Sequence, residues 1–214
     1  MLYRILFSVG AIVTFLSACR KEKSIESTPE PPTTCDYAPY TLGSAFEYLY
    51  INSNHDSGAY VLNVTGDTVL NGDHYSILND GSGEQYVHCS NGNYFLYEPG
   101  MSVPDYELEA GARLYLRDNQ PVGSKWTDTV NFVLSGVEQR GLLQYEIEAK
   151  NPSMTVLGKE YKDIVRVRQD AAVLVGEVPF PVGTIGTYYY ARGIGYIETD
   201  SPTDTIRLRD YDIK

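Results

Sequence analysis

After its first eighteen residues this chain of 214 has no long apolar run, few cations, and only three histidines, three cysteines and one tryptophan. Each shortage removes a class of function. A helix that spans a bilayer needs roughly 20 consecutive apolar residues, and nothing downstream of Leu16 approaches that. Seventeen Lys and Arg stand against 28 Asp and Glu, a formal charge of −11. Nucleic acids and anionic lipid are held by clustered Lys and Arg, so an acidic chain without a basic stripe is suited to neither. His55, His74, His88 and Cys89 follow no zinc-ligand spacing. No metal or other cofactor is expected. Gly193-Ile194-Gly195 lacks the third glycine and the following helix of a phosphate loop; a bulge or a close strand crossing is the plainer reading. Asn79 to Glu84 places oxygens at alternate positions but lacks the distal glutamate of a calcium loop, so it reads as a hairpin turn. No nucleophile elbow and no His-Glu-x-x-His helix is present.

What is there begins with an address. Arg4 precedes a nearly continuous apolar run from Ile5 to Leu16, and Leu16-Ser17-Ala18-Cys19 closes it. The run is too short to span and has the charged start and small-residue end of a signal peptide. Its last four residues resemble a lipobox. That resemblance implies cleavage after Ala18 and a diacylglyceryl thioether on Cys19, which would tie the chain to a membrane. An ordinary secretory signal with an incidental cysteine, or an uncleaved anchor, is the alternative. Residues 19–34 carry Pro29, Pro31 and Pro32 among charged and hydroxyl residues, with almost no apolar content. Such a segment cannot bury enough surface to fold, and at about 3.1 Å per residue it forms a tether of up to roughly 45 Å. The expected organisation is a signal peptide over residues 1–18, a lipidated tether over 19–34, and one domain over 35–214. The expected location is the cell envelope, at the outer membrane, with the membrane face left open by a lone Glu22 after the cysteine. In an oxidising compartment Cys35 and Cys89 could pair as a disulfide or stay as two buried thiols.

The domain reads as β throughout. Segments rich in Tyr, Val, Ile and Leu recur every 8 to 12 residues with turn residues between them. Asn71-Gly72 and Asn91-Gly92 are strong hairpin signals, because both central positions of the tight turn favour positive φ. No window keeps a helical period with caps. Met101 to Ala112, broken by Pro104 and Gly111, is expected as a loop or a short helix. The predicted architecture is an all-β antiparallel meander curled into a partly open barrel, with a β-sandwich or a lipocalin-like barrel as alternatives.

Five short patterns then matter in their order: Pro39 to Tyr48 (PYTLGSAFEY), Asp67 to Tyr75 (DTVLNGDHY), Pro121 to Trp126 (PVGSKW), Val156 to Val165 (VLGKEYKDIV) and Tyr188 to Ile197 (YYYARGIGYI). In that order the set resembles a group of uncharacterised Gram-negative envelope lipoproteins, connected with the LolA-like (lipoprotein-carrier-like) fold. The resemblance implies an incomplete antiparallel barrel around an apolar cavity. It implies no catalytic residues, and a shared fold does not carry function with it.

Nineteen tyrosines are the most informative part of the composition. Their rings join an apolar face to a polar tip. They pack across strands in any sheet, but they could also line a groove. Tyr48, Tyr50, Trp126, Tyr188 and Tyr190 are the candidate ligand-contacting residues. Tyr188-Tyr189-Tyr190 puts rings on both faces of one strand. The expected function is non-enzymatic: an envelope lipoprotein whose β module binds an apolar or amphiphilic ligand, or braces an envelope protein partner. A carbohydrate-binding accessory lipoprotein holding a glycan on Tyr and Trp is one alternative, and a hydrolase with two carboxylates held about 5 to 10 Å apart is another. The anchor has a direct test. Cys19→Ala should move the protein from the membrane to the soluble fraction on cell fractionation, and a variant that stays membrane-bound would refute the lipobox.

Overall fold

The computed structural model describes residues 35–214, apart from residue 105 and the side chain of residue 106. The signal peptide, Cys19 and the tether lie outside the described residues. Fourteen strands follow one another in chain order: β1 (Ala45–Asn52), β2 (Ser57–Leu70), β3 (Asp73–Asn79), β4 (Glu84–Ser90), β5 (Asn93–Glu98), β6 (Met101–Val103), β7 (Tyr106–Leu108), β8 (Gly111–Arg117), β9 (Lys125–Leu134), β10 (Val137–Val156), β11 (Lys159–Val175), β12 (Val178–Ala191), β13 (Gly195–Asp200) and β14 (Asp204–Asp212). The hairpin turns carry the backbone that their sequences favour. Asn71 and Gly72 sit at φ 54° and 94°, and Asn91 and Gly92 at 51° and 71°, the left-handed region that Asn and Gly enter most readily.

All fourteen strands form one antiparallel sheet in the order β6-β7-β9-β10-β11-β12-β13-β14-β1-β2-β3-β4-β5-β8. The meander runs from β9 to β14, passes to β1 through the β1–β14 pair, and continues to β5 and β8. The first and last strands are thus neighbours inside the sheet, and its free edges come from the middle of the chain. Met101 to Ala112 is neither helix nor loop. It forms the hairpin β6–β7, which pairs with the far end of β9 through Leu108 and Phe132. Pro104 stands between the two short strands, where its missing N–H leaves no gap in a ladder.

The sheet curls until β8 faces β9, but no ladder joins them. Side chains bridge the seam instead. Trp126 Nε1 on β9 donates to the Leu114 carbonyl on β8 at 2.7 Å. The Leu114 N–H donates to the Asp128 carboxylate at 3.1 Å, and Arg113 donates to the Thr129 carbonyl at 3.3 Å. The architecture is a partly open barrel.

Inside it two core clusters meet. Phe46, Tyr48, Leu62, Leu78, Ile197 and Leu208 centre one, and Tyr94, Leu116, Trp126, Tyr145, Ile147 and Val167 the other. Outward residues of the long strands carry charge in matched sets. Arg168 reaches Glu146 at 3.0 Å, Glu148 at 3.2 Å and Asp170 at 3.0 Å.

Residues 35–44 close the lower end, the end of the Asn71-Gly72 and Asn91-Gly92 turns. The Tyr37 N–H donates to the Tyr94 hydroxyl at 3.2 Å, which in turn donates to Asp118 at 2.6 Å. The Gly193 N–H donates to the Asp36 carbonyl at 2.7 Å. Gly195, at φ 98°, lies so close beneath Tyr40 that a Cβ there would stand 3.0 Å from its hydroxyl. Gly193-Ile194-Gly195 is therefore a turn between strands, bonded to the closing segment at Gly193 and pressed under it at Gly195. Cys35 and Cys89 are joined by a disulfide, Cα to Cα 5.8 Å, which fixes this segment to the end of β4.

Every described strand, both clusters and the disulfide lie within residues 35–214, so this stretch carries a core of its own. The disulfide spans a sequence separation of 54. Closing a loop of that length in the unfolded chain contributes about 4 kcal/mol. Replacing both cysteines by serine should lower the unfolding free energy in urea by about that amount, and an unchanged midpoint would show that the closing segment holds without its covalent tie.

Candidate functional site

The two clusters do not fill the barrel. Above them a cavity of about 520 Å³ opens at the upper end, within the roughly 300–1,000 Å³ usual for small-ligand sites. Tyrosines make its floor: Tyr40 from the closing segment, Tyr48 from β1, Tyr115 from β8, Tyr190 from β12 and Tyr196 from β13. Leu62, Leu78, Val87, Leu96 and Leu143 make the walls. Alternation along each strand aims these residues inward, and bulges re-aim the rest. Tyr94 pairs with Leu116 and Phe95 with Leu114, so Tyr115 is the extra residue of a bulge. It turns to the cavity beside Tyr190, ring centres 5.5 Å apart.

The floor is apolar in its faces, and hydroxyl bonds fix two of its rings. Tyr48 donates to the Tyr196 carbonyl at 3.0 Å, and Tyr196 donates to Thr199 Oγ1 at 2.6 Å. The ring of Tyr48 stacks on Tyr60 at 5.3 Å.

The charged groups gather at the mouth, where Glu98 and Arg113 line the cavity with Gln85; Gln169, deeper on β11, donates to the Tyr145 hydroxyl at 3.2 Å. Arg113 is 7 % exposed. Its Nε lies 3.4 Å from Glu98, whose side chain is 40 % exposed. Glu98 is the one carboxylate among the lining residues, so the charges at the mouth cancel.

Of the residues expected at a ligand site, Tyr48, Tyr188 and Tyr190 line the cavity together. Tyr50 and Trp126 stand elsewhere. Tyr50 is 40 % exposed, and its ring lies over Gly58 of the neighbouring strand, where any Cβ would collide with it. Trp126 is buried face to face with Tyr145, ring centres 5.3 Å apart and 7° from parallel, and it serves the seam. No flat indole face is offered to solvent. Arg113, Glu98, Tyr115, Tyr40 and Tyr196 did not stand out in the sequence. A bulge and a strand register bring them here, and neither leaves a local signature.

The other singled-out groups are occupied by the fold. The Asp80 carboxylate accepts from Ser82 N–H at 2.8 Å, Ser82 hydroxyl at 2.7 Å and Gly83 N–H at 3.1 Å. These bonds hold its pKa below the ordinary value and close the turn without a cation. His88 Nδ1 is 2.7 Å from the His74 carbonyl, with its ring against Tyr75 and Phe95. Among the described residues no three His, Cys, Asp or Glu side chains could hold a metal ion together. A larger hollow of about 1110 Å³ lies among the hairpin tips, where Glu107, Glu109, Glu138, Arg140 and Glu177 line it. Met101, Phe132, Leu174 and Val175 lie among those charges, whereas charge in the interior cavity is confined to Glu98 and Arg113, and the interior cavity is the candidate site.

No protein-family model matches the chain, and no curated protein does. Solved structures are similar at low identity, three of them as follows. One is a candidate lipoprotein from Parabacteroides distasonis ATCC 8503, at 15 % identity and TM-score 0.49, covering 84 % of this chain and 100 % of that one. Another is a candidate exported protein with YmcC-like fold from Bacteroides fragilis NCTC 9343, at 12 % identity and TM-score 0.48, covering 80 % and 96 %. The third is the hypothetical lipoprotein YmcC from Escherichia coli (K12), at 7 % identity and TM-score 0.39, covering 84 % and 90 %.

Burial of the tyrosines has a consequence in alkali. It pushes the Tyr40 and Tyr60 hydroxyls up to about 12, and Tyr48, Tyr115 and Tyr190 well above 10. Between pH 10 and 12 the folded protein therefore holds protons that the unfolded chain releases, so stability falls as the pH rises through that window. Tyrosinate absorbance should stay low in the folded protein past pH 10 and rise together with loss of β structure by circular dichroism. Full ionisation with the fold intact would mean that these hydroxyls reach water.

Proposed function

We propose that this chain is a non-enzymatic lipoprotein of the Gram-negative envelope, held at the outer membrane by lipid on Cys19, and that its curled sheet carries an apolar or amphiphilic ligand. In this reading the sheet belongs with the incomplete barrels of the lipoprotein-carrier-like kind. The observation that supports it most is the interior cavity, walled by aliphatic and tyrosine side chains, with charged groups only at its mouth. Buried apolar area contributes about 25 cal/mol per Å², so such a surface favours an apolar occupant over water.

A second feature agrees. The inward face of the long strands stays apolar above the rim, through Phe132 and Leu134 of β9, Val137 of β10, Val173 and Val175 of β11 and Phe180 of β12. Leu134, Val137, Val175 and Phe180 are all more than half exposed. They continue the cavity wall outward as a ramp. A hydrolytic role lacks comparable support, because Glu98 is the single lining carboxylate and it is paired with Arg113.

Native mass spectrometry of residues 35–214, exported into a bacterial periplasm, tests the ligand. The expected result is an extra mass that disappears on denaturation. Leu143→Trp, which puts an indole into the cavity from β10, should remove it while leaving the fold by circular dichroism. A bare mass from repeated preparations would overturn the ligand reading.

A further inference from the structure

Resting on that reading, the mouth says what kind of head the ligand carries. The interior offers a polar group Gln85, Glu98 and Arg113 at the mouth, and below them Gln169 and the tyrosine hydroxyls, of which Tyr48 and Tyr196 are bonded on the floor and Tyr145 to Gln169. Arg113 enters from β8 with its guanidinium buried. Its three bonds run to Glu98 at 3.4 Å, to the Thr129 carbonyl at 3.3 Å and to the Glu109 carbonyl at 3.5 Å. All are at the long limit for a hydrogen bond, although a guanidinium has five donors. Donor capacity is therefore left at the mouth. Glu98 lies opposite with its carboxylate half in water.

A head bearing a full charge fits this pair badly. A carboxylate drawn to Arg113 meets Glu98 beside it, inside an acidic protein of formal charge −11. An ammonium drawn to Glu98 meets Arg113. A neutral head with hydroxyl or amide groups can accept from Arg113 and donate to Glu98 at once, and Gln85 adds a donor and an acceptor. We infer that the cavity selects an amphiphile with an uncharged, hydroxyl- or amide-bearing head, its tail running down from Arg113 and Glu98 to the tyrosine floor. The Arg113–Glu98 pair is then the specificity element, because each partner cancels the charge that would otherwise recruit an ion.

Three amphiphiles of one chain length separate the possibilities: monolauroylglycerol, dodecanoate and dodecyltrimethylammonium. Each is titrated below its micelle concentration into residues 35–214 by calorimetry. Wild type should bind monolauroylglycerol best. Glu98→Gln, a change at a half-exposed side chain that leaves the fold in place, should bind dodecanoate about tenfold more tightly than wild type, because Arg113 is then uncompensated. If wild type prefers dodecanoate or dodecyltrimethylammonium, or if Glu98→Gln leaves the order and the affinities unchanged, this assignment falls and the cavity reading stands. If none of the three binds, the cavity reading falls with it.

Discussion

A curled sheet that stops short of closing must still find partners for the N–H and C=O groups along its free edges. Here the partners are side chains. Trp126, Asp128 and Arg113 carry the seam between β8 and β9 that a ladder would carry in a closed barrel. A ladder fixes strands at about 4.8 Å along their whole length. Side-chain bridges hold β8 to β9 only where they fall, and the hairpin β6–β7 takes up β9 above them. The interior is thereby wider than strand pairing alone would set. That room is where the cavity lies, and the same Arg113 that bridges the seam forms its mouth. Closure and site are one construction.

Tyrosine is the residue that makes such an interior workable. A phenylalanine floor would be as apolar, but a tyrosine floor ties strands together at the ring tips. The hydroxyl of Tyr48 reaches the backbone of β13, and that of Tyr94 links the closing segment to Asp118. Each such bond contributes on the order of 1 kcal/mol when made. The hydroxyl would cost about 1–3 kcal/mol if buried without a partner. The floor is thus fixed in place beneath an empty space, and it need not collapse into it.

How much of this was legible along the chain follows from how local each feature is. Asn71-Gly72 and Asn91-Gly92 announce their turns, because the need for positive φ lies within two residues. Alternation announces Tyr48 and the Tyr188/Tyr190 pair as sharing faces. The hairpin β6–β7 was not legible, because two three-residue strands leave no periodic trace around Pro104. Trp126 read as a ligand contact on residue type alone, and its role follows from Leu114 lying opposite across the seam. Tyr115 owes its direction to a bulge, and Arg113 its neighbours to a register between distant strands. The pairing of Cys35 with Cys89 was one of two open outcomes, since composition cannot supply the 5.8 Å between their Cα atoms.

The two ends of the barrel are unequal, and the inequality gives the site a direction. At the lower end residues 35–44 are held by the disulfide, by the bond from Gly193 to Asp36 and by the bond from Ser76 to the Tyr40 carbonyl at 3.1 Å. Opening there would break a covalent tie and expose Tyr37, which is 4 % exposed. At the upper end no comparable tie among the described residues crosses the mouth, and the apolar face of β9 to β12 runs past the rim into solvent. The cavity therefore opens to solvent at this end, while the other is sealed by the closing segment.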